Sequence, residues 1–338
     1  MRNLIVLPML GLVSTVITAH HANVEHDTSV VLELEGQVAT LSWRNPHVRM
    51  TLNVPAGDGT EQTWDLEAQD VNSLGRRGLR PEMIPQGGTI RVAGHPSRSG
   101  NGLYVTNVLL PDGTEIRTRG NTEPRWSTQH IGFDNDPLYT EPSLDVADGS
   151  QGIYRVWLRR QGSGFPTVLP LTPEAQAAQA AWTEENDLTM QCIAGGMPGV
   201  MTRVSAPHPI DFVQRDGEIV IRIEVFDVVR TVHMNPNVDA SSRTPSPLGH
   251  SVGRWEGNTL IVRTTQVNWP YFDSIGIIPQ SEAVEITERF TLSDDGTRLT
   301  YDLEVSDPET FTEPVSARWE FNWRPDMVVE RYGCVLDD

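Results

Sequence analysis

Long apolar runs are missing from all but the start of this sequence. Residues 4–16 are apolar, follow the positively charged Arg2 and lead to the small residue Ala19. No later stretch approaches the roughly 18 uninterrupted apolar residues of a membrane-spanning helix. The first segment is itself too short to span a bilayer and has the three regions of a secretory signal peptide. We therefore predict removal of residues 1–19, export to the periplasm or the medium, and a soluble mature chain that begins at His20 without stable membrane insertion.

Basic residues are also scarce. The chain has 26 Lys and Arg against 45 Asp and Glu, which gives a formal net charge of −19 at pH 7. Loss of Arg2 with the signal peptide changes this value to −20, since −19 − 1 = −20. A chain this acidic repels phosphate backbones and anionic membrane surfaces. We therefore expect no nucleic acid among its partners.

Cysteine is nearly absent, and neither Cys192 nor Cys334 belongs to a C-x-x-C pair or to a zinc-ligand pattern. This argues against a redox dithiol and against a structural zinc site. In an exported chain an even number of cysteines favours a disulfide. We predict a Cys192–Cys334 bond that ties the chain end to an earlier loop, with two buried free thiols as the alternative.

Strand patterns make up most of what is present. At ~150 residues per domain, the chain corresponds to about two domains. Residues 20–117 contain five alternating apolar and polar runs, with a short capped helix near Asp70 between the third and the fourth. Three strands, a helix and two strands is the order of an OB-fold barrel. Residues 118–149 are polar, rich in Pro and Asp and without periodicity, which predicts a linker or an extended wrap.

Residues 150–338 form the second predicted domain. Its one convincing helix begins with Thr172 as N-cap and Pro173 in the first turn. Up to nine strands follow or flank this helix, and three dipeptides between them are typical of hairpins. These dipeptides are Asp216-Gly217, Gly257-Asn258 and Asp295-Gly296. We predict a larger antiparallel, lipocalin-like β-barrel or sandwich that encloses a ligand cavity.

Two charged residues interrupt apolar faces of the predicted strands. Glu288 shares a face with Ile286 and Phe290, and Arg230 shares one with Val228 and Val232. A charge directed into an apolar interior is costly unless it is paired. The two residues therefore form either a structural ion pair or a site. In the second case Glu288 or His233 is the candidate proton carrier and Arg230 orients an anionic group. Glu224, Asp227 and His233 lie close by in sequence, and any of them could join the network, with Glu224 a further candidate catalytic residue.

Aromatic residues at three alternating positions, Trp319, Phe321 and Trp323, predict one side of a strand. They are either core residues or a platform for a ligand. Trp255 and His250, in the segment 249–260, are further candidate ligand contacts. The same segment contains the pattern G-H-S-V-G, which matches a nucleophile elbow. A hairpin follows it instead of a helix, and no histidine follows His250, so we interpret the match as a loop or bulge.

The histidines at the start of the mature chain suggest a metal site. The α-amine and the imidazole of His20 can chelate one Cu(II), and a second imidazole from His47 or His95 would complete a three-nitrogen site. The alternative is a frayed terminus that binds metal weakly or not at all. Copper is thus the one candidate cofactor.

Several of these segments together resemble a family of exported bacterial proteins of unknown function. The shared features are a signal peptide followed by His-His, a W-x-N-P-H segment at residues 43–47, and a G-H-S-x-G-R-W-E-G-x-T-L block at residues 249–260. Glu288-Arg289-Phe290 and Asp307-Pro308 also fit the pattern. The resemblance implies export and brings no assigned activity.

Three functions are consistent with these observations. The first is an exported protein that binds a small, largely apolar molecule inside the second barrel. The second is an acid–base enzyme, such as an isomerase, cyclase, lyase or hydrolase, in the same cavity. The third is a copper protein that uses His20. An open barrel interior with converging polar groups favours the first two, and a blocked N-terminus contradicts the third.

Overall fold

The structure of the protein is a computed structural model. Strands dominate it and form two closed barrels, each with its own apolar core, which confirms the predicted mostly β class. No helix in the described part of the chain is both long and apolar enough to cross a membrane. The described residues are 26–119, 122–132, 152–183, 186–202, 207–235 and 244–336.

The first barrel has five strands, β1 Leu32–Ser42, β2 Arg49–Pro55, β3 Glu61–Glu67, β4 Thr89–Pro96 and β5 Gly102–Leu109. β1 pairs with both β2 and β4, and a parallel pairing of β3 with β5 closes the barrel. This arrangement confirms the OB-like barrel that the order of the elements predicts. Gly36 lies where two strands approach closely, since a Cβ on it would come within 2.3 Å of the Asn53 carbonyl oxygen.

The short helix α1, Val71–Arg76, begins after Asp70, whose carboxylate accepts a hydrogen bond from a backbone N–H of the first turn. This is the N-cap that the sequence predicts. Two short strands, β6 Glu115–Arg117 and β7 His130–Ile131, extend the sheet beyond β5. β7 falls in the segment predicted as a linker, so the start of this segment wraps onto the first barrel. Residues 133–149 lie outside the described residues.

The second barrel has nine strands that follow one another around the wall in chain order. The hairpin dipeptides at residues 216–217 and 257–258 form turns as predicted, and residues 295–296 lie in a third turn. The strands are β8 Val156–Gly164, β9 Ile210–Arg215, β10 Glu218–Ile223, β11 Val228–His233, β12 His250–Glu256, β13 Thr259–Thr265, β14 Glu285–Leu292, β15 Arg298–Ser306 and β16 Val315–Trp323.

Two junctions of this barrel are short, and we call them the β8–β9 seam and the β11–β12 seam. Each seam has two paired positions, whereas every other junction has six to eight. The predicted antiparallel pairing is present at every junction of this barrel except β11–β12, which is parallel. A parallel pairing needs a long crossover, and the connection from residue 234 to residue 249 exceeds the dozen or so residues required.

The remaining elements are helical. The predicted helix after Thr172 is present as α2, Pro173–Ala180. The predicted disulfide is also present, with 5.6 Å between the Cα atoms of Cys192 and Cys334, and it joins the end of the chain to the second barrel. The other helices are α3 Gly199–Thr202 and the 3-10 helices Pro81–Met83, Leu188–Gln191 and Val225–Asp227.

Candidate functional site

Five polar side chains form a row inside the second barrel, and we call this row the polar belt. Each comes from a different strand between β11 and β15, and none is more than 2% exposed. The alternation along β11 and β14 predicted that Arg230 and Glu288 point inward, and both do. The belt consists of Arg230, Ser251, Thr264, Glu288 and Tyr301.

Arg230 and Glu288 form a bidentate ion pair at the centre of the belt. Nη1 of Arg230 donates to Oε1 of Glu288 at 2.8 Å, and Nη2 donates to Oε2. Nη2 also donates to the hydroxyls of Ser251 at 3.0 Å and Thr264 at 2.9 Å. The Tyr301 hydroxyl donates to Oε1 of Glu288 at 2.9 Å. The belt therefore carries polar contacts across the β11–β12 seam, where backbone pairing is short.

The electrostatics of the belt favour a structural ion pair. Burial by itself lowers the pKa of the Arg230 guanidinium, but the Glu288 carboxylate outweighs burial and raises that pKa above its usual value. Burial also raises the pKa of the Tyr301 hydroxyl well above its usual value, and Glu288 adds to this effect. Because donors occupy both carboxylate oxygens of Glu288, the geometry does not support its predicted role as a proton carrier.

Aromatic side chains fill the barrel interior beside the belt. Tyr301 stacks on Phe290 with 4.6 Å between ring centroids and on Trp319 with 5.5 Å, and Phe321 meets Tyr301 edge-on at 6.3 Å. Trp319 is 6% exposed and Phe321 is 0% exposed. Of the two sequence interpretations, the geometry therefore favours core residues over a ligand platform at these two positions. Side chains, rather than an open lumen, occupy this part of the barrel.

The other two candidate tryptophans lie apart from this cluster. Trp323, at the end of β16, is half-buried, and the Arg155 guanidinium lies over its ring at 4.3 Å. Trp255, on β12 beside a hairpin turn, is 41% exposed. The structure therefore does not bring the predicted aromatic contacts into one site.

A groove of about 520 Å³ lies at the β11–β12 seam, and we call it the seam groove. The two strands pair at Val232 with Ser251 and at His233 with Val252, and they separate next to these positions. The groove therefore reaches from the outer wall towards Arg230 of the polar belt. Its lining is formed by Glu218, Val229, Arg230, Thr231, His233, Thr244, Ser246, Leu248, Gly249, His250 and Ser251.

The seam groove brings together Arg230 and His233, which the sequence predicted for one acid–base site, and His250, which it predicted as a ligand contact. The imidazole rings of His233 and His250 lie 4.9 Å apart. Nδ1 of His233 lies 2.9 Å from Oε1 of Glu218. Sequence reasoning missed Glu218, because its position directly opposite His233 depends on the β10–β11 register, which no turn motif in the sequence fixes. A carboxylate at Nδ1 favours the tautomer that keeps the proton there and leaves Nε2 as a proton acceptor.

The fourth predicted catalytic residue, Glu224, lies elsewhere, which corrects the prediction that it joins the Arg230 network. It is 0% exposed and contacts two side chains at the boundary between the barrels. Its carboxylate accepts two hydrogen bonds from Arg76 of α1, both at 2.5 Å, and lies 3.0 Å from Nδ1 of His208. The physical reason is local. The strand ends at Ile223, and the 3-10 helix Val225–Asp227 turns the chain away from the barrel interior.

On its other side, His208 contacts Asp70 and Ser73 of the first barrel. Nε2 lies 3.3 Å from Oδ2 of Asp70 and 3.2 Å from the Ser73 hydroxyl. We call these five residues, Asp70, Ser73, Arg76, His208 and Glu224, the interdomain cluster. Burial lowers the pKa of His208, but Asp70 and Glu224 outweigh burial and raise it to about 9.

Ser73, His208 and Glu224 are spaced like a catalytic triad, yet the cluster cannot work as one. The Ser73 hydroxyl donates to Oδ2 of Asp70 at 2.5 Å, and both Ser73 and His208 are buried. With a pKa of about 9, His208 is protonated at neutral pH and cannot act as a general base there. The cluster is therefore a buried salt-bridge network between the barrels.

The candidate metal ligands in the first barrel are engaged in other contacts. Nδ1 of His47 lies 3.3 Å from Oε1 of Glu67, and Nδ1 of His95 lies 2.8 Å from the Val30 carbonyl oxygen. Within the described ranges, no three His, Cys, Asp or Glu side chains are grouped to hold a metal ion. His20 lies outside the described residues, so copper binding at the N-terminus stays a prediction.

Comparisons with known proteins do not assign an activity to these residues. No curated protein matches the chain. Among solved structures, a point mutant of the fluorescent protein UnaG aligns with 12% identity and a TM-score of 0.26, over 52% of this chain and 99% of that one. At that TM-score the alignment carries no argument about function. Residues 9–105 match the model of a family of unknown function, DUF6152, which confirms the resemblance to an uncharacterised family over part of the predicted signal peptide and most of the first barrel.

Proposed function

We propose that the mature protein is exported and binds a small molecule in the seam groove of its second barrel. The observation that carries this proposal is the convergence of Arg230, His233 and His250 on one groove of about 520 Å³. Ligand sites are typically concave, with a few polar groups that fix orientation. Glu218 and His233 supply such groups in the groove wall, where Nδ1 of His233 lies 2.9 Å from Oε1 of Glu218.

The chemistry of the groove supports a polar ligand. Most side chains in its wall carry hydroxyl, imidazole or charged groups, and Val229 and Leu248 are the larger apolar ones. The aromatic residues that suggested a largely apolar ligand instead pack against one another in the interior. We therefore propose a small polar molecule in the wall of the barrel, rather than an apolar one in its lumen.

Two tryptophan substitutions test the position of the site. Thr231→Trp places a bulky ring in the groove, and Thr287→Trp places the same ring on the outer face of β14, away from it. Ligand-observed NMR with a panel of sugars, nucleosides, amino acids and hydroxy acids identifies compounds that bind the processed wild-type protein. We expect Thr231→Trp to abolish this binding and Thr287→Trp to retain it. Equal binding by both variants would place the site elsewhere, and no binding by the wild type would refute the proposal.

A second candidate, an acid–base enzyme in the same groove, is favoured by the Glu218–His233 contact of 2.9 Å. In this case His233 carries the proton, and Glu218 fixes its tautomer. Glu288 has no part in the proton transfer, because Arg230 and Tyr301 occupy its oxygens. If a compound from the panel is converted, His233→Gln should abolish turnover and leave detectable binding. Unchanged turnover in this variant would remove the enzyme hypothesis as stated.

A further inference from the structure

Arg159 of β8 points into the second barrel. Directly opposed residues of an antiparallel pair share one face of the sheet, and Arg159 lies opposite Phe321 of β16, a core residue that is 0% exposed. Cζ of Arg159 lies 5.7 Å from the ring centroid of Trp319, and Nη1 donates to the Thr202 carbonyl oxygen of α3 at 3.0 Å. The register of β8 therefore places a guanidinium on the inner side of the barrel wall.

No carboxylate in the described part of the chain pairs with this guanidinium. Arg230, which also points into this barrel, has Glu288 as its partner, and the pKa of Arg230 is raised. By contrast, burial lowers the pKa of Arg159 to about 10, because no neighbouring anion opposes the loss of solvent. Desolvated charges are usually paired, and the chain has 45 acidic residues that could have supplied a partner. Arg159 thus lacks the anion that a desolvated cation ordinarily has.

The barrel wall is open on one side of Arg159. β8 pairs with β9 at Val156 and Trp157, and none of the described residues continues this pairing from Leu158 onwards. Arg159 follows directly after the last pair and is partly exposed rather than buried. A guanidinium has five N–H donors, and one of those of Arg159 bonds to the described protein atoms. The remaining donors can therefore contact a small solute that enters at this edge.

We propose that Arg159 binds the carboxylate of a small monocarboxylate at the open edge of β8. A planar guanidinium matches a carboxylate in shape and in donor geometry. A single cation in a chain of net charge −19 favours a singly charged anion over a phosphate dianion. Trp319 and Phe165, whose rings meet edge-on at 5.8 Å, provide an apolar surface beside the charge for a short alkyl group. The site shares no residue with the seam groove, so it is independent of the function proposed there.

Propionate is the probe, with propionamide as its neutral analogue and inorganic phosphate as the more highly charged anion. Ligand-observed NMR titration of the processed protein should show propionate binding at least roughly tenfold more tightly than propionamide, as expected for a charge-assisted hydrogen bond. Phosphate should bind more weakly than propionate. Thr231→Trp, which fills the seam groove, should bind propionate as the wild type does. Equal binding of propionate and propionamide, tighter binding of phosphate, or loss of propionate binding in Thr231→Trp would each overturn the proposal.

Arg159→Met separates ligand binding from a purely structural role. We expect propionate binding at least roughly tenfold weaker than in the wild type. The midpoint of urea unfolding should be no lower than that of the wild type, because the variant removes a desolvated cation that has no anion. A role confined to the α3 carbonyl and the Trp319 ring predicts the reverse, namely a lower midpoint with unchanged propionate binding. That result would overturn the proposal.

Two further variants complete the test. Arg289→Met makes the same change at an exposed position on the outer face of β14 and should leave the propionate affinity unchanged. Arg159→Lys keeps the positive charge but loses the planar fork, so it should also weaken propionate binding, and it provides the measurement if Arg159→Met does not fold. Unchanged propionate affinity in either folded Arg159 variant would refute the proposal.

Discussion

Glu288 is the residue on which the structural and the functional interpretations of the polar belt differ most. Glu288→Gln removes the charge that compensates the buried Arg230 guanidinium, while the barrel around it is unchanged. Loss of one partner of a buried pair typically destabilises a protein by ~3–5 kcal/mol, because the other charge is stranded. We expect a loss of this size in the free energy of unfolding, measured by urea unfolding followed by tryptophan fluorescence.

The double variant Arg230→Met with Glu288→Leu is the matched control. Replacement of a buried ion pair by apolar side chains of similar volume is often neutral or stabilising. The double variant should therefore regain most of the stability that Glu288→Gln loses. If Glu288→Gln were as stable as the wild type, the pair would not be structural, and a role of Glu288 at the site would have to be reconsidered.

For single residues, the sequence predicted contacts that depend on strand periodicity alone. Arg230 and Glu288 interrupt apolar rows of period two, and this pattern is sufficient to direct both side chains inward. Glu224 was placed wrongly, because it directly follows a strand and the chain turns at Phe226, whose φ of 60° lies in the left-handed region. Nothing in the alternation along β10 indicates this turn. The His233–His250 contact depends on strand pairing and could not be predicted from either strand alone.

At the scale of elements, the two seams divide the second barrel into sheets of three and six strands. β9, β10 and β11 form the smaller sheet, which contacts the larger one through two residue pairs at each seam. Local opening occurs most readily where few backbone hydrogen bonds must break. The polar belt compensates for this at the β11–β12 seam, since Arg230 of the smaller sheet bonds residues of three strands in the larger one.

Hydrogen exchange measured by mass spectrometry tests this division. Peptides from residues 210–233 should exchange faster than peptides from residues 285–323, because the smaller sheet can separate without disruption of the larger one. Glu288→Gln should accelerate exchange in β11 more than in β15 or β16, since it weakens the belt at that seam. Equal protection of both sheets in the wild type would contradict the division.

The arrangement of the elements was predictable where turns are short. Dipeptides such as Asp216-Gly217 fix both a hairpin and the antiparallel neighbour of each strand. The parallel pairing of β11 with β12 was not predictable, since it follows a long connection whose path the local pattern does not specify. The seam groove exists because of this pairing, so the location of the proposed site could not be read from the sequence even though several of its residues could.

At the scale of the whole molecule, the end of the chain joins the two barrels. The Asn45 side chain of the first barrel donates a hydrogen bond to the Tyr332 carbonyl oxygen at 2.5 Å, and the Asn45 carbonyl oxygen accepts one from the Val335 N–H at 3.1 Å. Asp227 of the second barrel accepts hydrogen bonds from the backbone N–H groups of Tyr332 and Gly333, each at 2.8 Å. The disulfide then fixes the adjacent Cys334. Asn45 belongs to the W-x-N-P-H segment, so this motif has a structural role in holding the barrels together.

The interdomain cluster should make this association dependent on pH. The pKa of His208 is about 9 in the folded protein, against an ordinary value of 6.5. A raised histidine pKa stabilises the folded state fully below pH 6.5, and the contribution is lost as the pH rises through about 9. The pKa values of Asp70 and Glu224 are lowered, so their contribution is present above their ordinary values and is lost in acid. The cluster should therefore stabilise the protein most between about pH 5 and 6.5.

Urea unfolding of wild type and His208→Gln from pH 5 to pH 9.5 measures this effect. In the wild type, the free energy of unfolding should fall by up to about 1.4 kcal/mol per pH unit between 6.5 and 9, because the folded state keeps a proton that the unfolded state has released. His208→Gln should be less stable at pH 6 and should lack this slope, since no imidazole titrates in the cluster. His95→Gln, which removes an imidazole from the surface of the first barrel, should retain the slope. Parallel pH profiles for wild type and His208→Gln would mean that His208 does not hold a proton between Asp70 and Glu224, and that the cluster is not the electrostatic link between the barrels.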